Sequence, residues 1–72
     1  MAYEHQKAIQ RELDARIPRG PRGSLQNQLR FRLYFFRSQG LSFDASLAMA
    51  VSGVRERVPD FAPRVLPLPE TR

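Results

Sequence analysis

Residues 24–58 read SLQNQLRFRLYFFRSQGLSFDASLAMAVSGVRERV, and this stretch decides the fold. Leu25, Leu29, Leu33 and Phe36 recur at three- and four-residue steps, the spacing of one helix face. Phe31 and Phe35 fall on a second apolar face, and Tyr34 borders a third with Arg30 and Arg37. One neighbouring element cannot cover so wide an apolar girth. Ser24 is a suitable N-cap, because its hydroxyl can accept from the free amides of the first turn. Asn27 stands where a capping box wants Glu or Gln, so the box is incomplete. Gly40 supplies the left-handed residue that ends many helices, with Leu41 as its apolar follower. Beyond it, Phe43, Leu47, Ala50, Val51, Val54 and Val58 cluster within about a quarter-turn at the 100° helical step. Ser42 caps this second pattern, Asp44 suits the dipole of its first turn, and Pro59 stops it. Its other faces carry Ala45, Ala48, Ser52 and Gly53, small enough for close approach of a neighbour. The pattern predicts helices over 25–38 and 43–58, joined as a hairpin.

Upstream, Ala2, Gln6, Ile9, Leu13 and Ile17 make a thinner stripe with Tyr3 at its margin, predicting a helix over 2–17. That stripe is too narrow to hold a helix alone, so the helix must dock on the hairpin. Pro18 ends it. Residues 18–23, PRGPRG, hold two prolines and two glycines and read as a linker or clamped turn. Its two Arg-Gly steps place arginine on pliable backbone. Downstream, residues 59–72 carry four of the six prolines and read as an extended tail. Phe61, Val65, Leu66 and Leu68 are apolar for such a tail, so they either lie back over the helices or reach a partner. The expected fold is therefore all-α: a small three-helix domain over 1–58, built on a helical hairpin, with an extended Pro-rich C-terminal tail over 59–72.

Charge is unevenly placed. The chain has 72 residues and a net charge of +5. Residues 1–15 sum to −1 and residues 38–72 to zero, whereas residues 16–37 carry six arginines and no acid. Eleven of the 12 basic residues are arginine, whose planar fork suits phosphate and carboxylate better than a lysine point charge does. Arg16, Arg19, Arg22, Arg30 and Arg37, with Tyr34 beside them, are the expected charged contact. Phe61, Leu66 and Leu68 are the expected apolar contact.

Several chemistries are excluded. The absence of cysteine removes disulfides and thiolate metal sites, and a single histidine, His5, makes no metal or catalytic cluster. No carboxylates are spaced as a catalytic pair beside a nucleophile, and Gly20 and Gly23 lack the strand and lysine of a phosphate-binding loop. No enzymatic activity, cofactor or metal is expected. There is no signal-peptide pattern and no apolar run long enough to span a membrane, so a cytoplasmic location is expected. A helix-turn-helix would ask the 43–58 helix to offer polar side chains to a groove, but it offers mainly Ala45, Ser46, Ala48 and Ser52. A ribbon-helix-helix would need a strand where PRGPRG stands. The chain is identified with neither.

Binding remains. A core this small barely offsets the cost of ordering its chain, and the surplus apolar surface asks for a partner or a homodimer. The expected function is a non-enzymatic regulator that binds a protein within a nucleic-acid machine, such as RNA polymerase or another transcription or ribonucleoprotein complex. Direct, largely sequence-independent DNA or RNA binding through Arg16–Arg37, with Phe31 and Tyr34 as stacking faces, is the alternative. For Phe31, a place in the core or in a dimer is weighed above stacking. A phage-type inhibitor of an acidic host protein is the third reading.

Overall fold

The computed structural model describes residues 2–68, and the side chains of residues 4–68. It is an all-α domain of three helices, α1 (Ala2–Arg16), α2 (Leu25–Ser38) and α3 (Phe43–Arg55). The central helix α2 packs on both others, more extensively on α3. Ile9, Leu13 and Ile17 meet Leu29 and Leu33 from one side, while Ala50 and Val54 close the core from the other. The thin stripe of α1 is thus sufficient once docked; its Gln6 stays exposed.

The caps follow the sequence. Ser24 Oγ accepts from the Asn27 amide and Ser42 Oγ from the Ala45 amide. At the end of α2, Gly40 takes φ +99°. Its amide donates to Arg37 O at 3.0 Å and the Leu41 amide to Phe36 O at 3.3 Å, the paired bonds of a Schellman ending.

Two helix ends fall short of expectation, each before a proline. α1 ends at Arg16 rather than Ile17, because Pro18 disfavours helical geometry in the residue before it. α3 ends at Arg55 rather than Val58. Pro59 restricts Val58 in the same way, and the amides of Arg57 and Val58 both turn in on Val54 O at 3.1 Å. The chain then bends, with the Phe61 amide donating to Val58 O at 3.0 Å. This brings the Phe61 ring into the core, 8% exposed, while Arg55 Nε fastens Phe61 O at 2.9 Å.

Residues 61–68 carry no helix or strand, yet they are held. The Gln26 side-chain amide pairs both ways with the Arg64 backbone, donating to its carbonyl at 2.9 Å and accepting from its amide at 3.1 Å. The Leu66 amide donates to Arg16 O, and Arg16 Nε donates back to Leu66 O, each at 2.7 Å. The tail therefore ties the end of α1 to the start of α2. The side chains of Ala2 and Tyr3, and tail residues 69–72, lie outside the described residues.

One buried group is unexplained by the apolar pattern. Ser46, read above as an outward residue of the third helix, is fully buried, and its hydroxyl has no partner among the described residues.

Candidate functional site

The arginine-rich segment divides into two kinds of residue. Arg30 is 6% exposed. Its Nη1 donates to the carbonyls of Leu13 (3.1 Å) and Ile17, and its Nη2 to Asp14 Oδ1 at 2.8 Å. Leu13 O also takes the Ile17 amide at 2.7 Å, whereas Ile17 O, just past the last helical residue, has no donor from the helix. A guanidinium at that negative end satisfies them. Arg37 sends Nε to Glu12 and Nη1 to Leu41 O, each at 2.7 Å. Arg16 holds the tail, and its guanidinium carbon lies 4.3 Å from the centre of the Phe43 ring. These three were expected to meet a partner; instead they bind backbone and side chains of their own fold. The physical reason is that the five N–H donors of a guanidinium serve carbonyl oxygens as well as anionic ones.

Arg19 and Arg22 remain. Arg19 is 70% exposed and only 3.7 Å from Asp14 Oδ1, a loose surface pair of little energy. Arg22 is exposed on a tight turn, closed by the Ser24 amide donating to Pro21 O at 3.0 Å. Gly23 follows it at φ +77°, the left-handed third residue of a type II turn. The linker is less pliable than its composition implies. Asn27 Oδ1 accepts from the Gly20 amide at 2.9 Å, and its Nδ2 donates to Gly20 O at 3.2 Å and Pro21 O at 2.9 Å. Asn27 thus clamps the turn that displays the two arginines, a role its position in an incomplete capping box does not announce.

Next to this turn stands the most exposed apolar surface of α2. Phe31 is 76% exposed and Phe35 53%. Phe31 is therefore not a core residue of the monomer, and of the core or dimer place weighed for it the core half is excluded. Phe35 rests edge-on against half-buried Phe36, ring centres 5.5 Å apart. A groove of about 580 Å³ runs along this face between Gly23 and Phe36, with Phe31, Phe35 and Arg32 in its wall. A second hollow of about 450 Å³ opens on the other side of Phe31, bounded by Arg19, Gln10, Asn27 and Tyr34. Tyr34 packs partly against the core. Arg32 and Phe35 were not among the expected contacts. Phe35 had a signal, four residues from Phe31 on a face away from the leucine stripe. Arg32 had only an indirect one in Gly53, where an added Cβ would stand 2.8 Å from Arg32 Nη1.

The expected apolar contact is dispersed. Phe61 belongs to the core and cannot also be a free anchor. Leu66 is 41% exposed with its backbone tied to Arg16, and Leu68 is 73% exposed. His5 is exposed, and no group of three or more His, Cys, Asp or Glu among the described residues could hold a metal ion. No helix among the described residues is long and apolar enough to cross a membrane.

No protein family model, curated protein or solved structure is significantly similar to this chain.

Proposed function

We propose that this protein acts by binding rather than by catalysis, as a small regulator of a nucleic-acid machine, and that its contact face is the Phe31 side of α2. The observation that carries this reading is the exposure of Phe31 and Phe35, with Arg32 in the same groove, Arg19 in the hollow that shares Phe31, and Arg22 exposed on the preceding turn. Exposed aromatic rings gain most from leaving water at an interface, and arginine is the cation enriched beside them. Positive charge on the same face speeds encounter with a polyanion or an acidic protein rim. The charged contact is accordingly narrower than the sequence implied, with Arg16, Arg30 and Arg37 acting inside the fold. Leu66 and Leu68 form a secondary apolar surface.

The test is capture from lysate with and without nuclease, comparing the wild type with Phe31→Ala/Phe35→Ala. Both rings are exposed, so far-UV circular dichroism of the variant should be unchanged. Loss of a captured component of a transcription or ribonucleoprotein complex from the variant alone supports the reading. Equal capture by both proteins overturns it.

A further inference from the structure

Phe31 is the wall shared by the two hollows, and each hollow has the same furnishing. The larger is bordered by Arg32, Gln28 and Asn27, the smaller by Arg19, Gln10 and Asn27. Each therefore presents an exposed ring, one accessible guanidinium and one exposed glutamine amide, Gln28 or Gln10, since the Asn27 amide is spent on Gly20 and Pro21. No carboxylate among the described residues lines either one. Asp14, which lies 3.7 Å from Arg19, is engaged by Arg30 at 2.8 Å. An acidic peptide would be served by the arginines alone and would leave the amides and the apolar ring faces unmatched. A second copy of this chain would bring arginine against arginine. An unpaired nucleobase uses all three features. It stacks on the ring, its edge exchanges hydrogen bonds with amides that both donate and accept, and its phosphate meets a guanidinium. Bases within a duplex are already stacked and paired, so they cannot use the ring.

We propose that the ligand of this face is single-stranded nucleic acid, with bases seated in the two hollows flanking Phe31 and phosphates carried by Arg19, Arg22 and Arg32. This deepens the function proposed above and rests on the same face. Asn27 is the positioning residue, because it fixes the turn bearing Arg19 and Arg22 while its side chain borders both hollows.

The experiment is fluorescence anisotropy with labelled oligothymidylate, oligouridylate and a DNA duplex, each about ten nucleotides long. Single strands should bind more tightly than the duplex at about 50 mM salt. The DNA and RNA arms distinguish the two sources of the same chemistry, and preference for RNA assigns a contact to the 2′-hydroxyl. Phe31→Ala should weaken single-strand binding about 5- to 100-fold, the worth of one stacked base, without changing the salt slope. Arg19→Ala/Arg22→Ala should instead lower that slope by about 1.4, two phosphates at roughly 0.7 each. The chain has no tryptophan, so Phe31→Trp places a sole indole at the stacking position. It should retain binding, and its emission should be quenched by single strands only.

Failure to bind either single strand, equal binding of the duplex, an unaffected Phe31→Ala variant or an unquenched Phe31→Trp variant overturns the proposal. So does sedimentation showing a dimer that Phe31→Ala dissociates. If single strands do not bind but a nuclease-resistant protein is captured through Phe31 and Phe35, the proposed function stands and the nucleic-acid ligand falls. If Phe31 matters to neither assay, both fall.

Discussion

Replacing Arg30 separates a guanidinium that holds the fold from one that would hold a partner. In Arg30→Met the chain keeps its length and apolar stem and loses every donor. Three acceptors are affected. Asp14 is 58% exposed and returns to water, so its loss costs about 0–1 kcal/mol. Leu13 O keeps the Ile17 amide at 2.7 Å and loses a second bond. Ile17 O is the expensive one, because Ile17 is fully buried and its carbonyl would lose its donor. A buried acceptor left unmade costs about 1–3 kcal/mol. Together the change should destabilise the protein by about 2–4 kcal/mol. At about 0.05–0.15 kcal/mol per residue, that is a large share of the stability of so short a chain. The melting temperature should fall by roughly 10–30 °C, read by circular dichroism at 222 nm. Arg30→Lys should recover only part of the loss, since a point charge cannot span two carbonyls and a carboxylate with fixed geometry. Arg22→Ala, on the exposed turn, should stay within about 0.5 kcal/mol. A melt of Arg30→Met within about 2 °C of wild type would refute the reasoning.

Three further changes test the packing. Ser46→Ala removes a buried hydroxyl that lacks a partner and should raise stability by about 1 kcal/mol in urea unfolding; a loss of stability would mean that the hydroxyl is satisfied. Gly20→Ala would set a Cβ 2.5 Å from Ser24 Oγ, disturbing the α2 cap at a cost of about 1–2 kcal/mol. Part of that cost should vanish in a Ser24→Ala background, the 3.1 Å approach to Gln26 Cβ remaining, and simple additivity in a double-mutant cycle would contradict it. Phe61→Ala empties a core position and should cost about 3 kcal/mol, with increased amide exchange of Leu66 as the tail loosens; unchanged stability would return Phe61 to the surface.

The helices were readable because their information is local. Leu25, Leu29, Leu33 and Phe36 announce a face whatever the rest of the chain does, and Ser24, Ser42 and Gly40 act within a few residues of themselves. The arginines were not, because their partners lie 13 to 50 residues away for Arg30 and Arg16. Charge counting treats every guanidinium as a free cation. It has no access to the carbonyls at the end of α1 that Arg30 reaches. Phe61 and Phe31 were each left between two readings for a related reason. A proline-rich surrounding makes a phenylalanine look solvent-bound, and a helix full of leucines makes one look buried. Only the bend after Pro59 and the position of α1 decide which side each ring faces. Asn27 was legible as a near-cap but not as the clamp of a turn seven residues before it.

The division among the arginines has a consequence for proteolysis. A trypsin-like protease must draw an arginine side chain out of the protein and into a pocket with a carboxylate at its base. Eleven arginines would make the chain look like easy prey. Arg16, Arg30, Arg37 and Arg55 already have their guanidiniums on internal oxygens, and all four sit on helical backbone, inside or at the end of an element. Digestion at those sites waits for the fold to open, whereas Arg19 and Arg22 are offered on an exposed turn. Cuts at Arg19 and Arg22 should part α1 from the α2–α3 hairpin while the core still holds the pieces together, so the linker that displays the cations is also a place where the folded molecule can be divided.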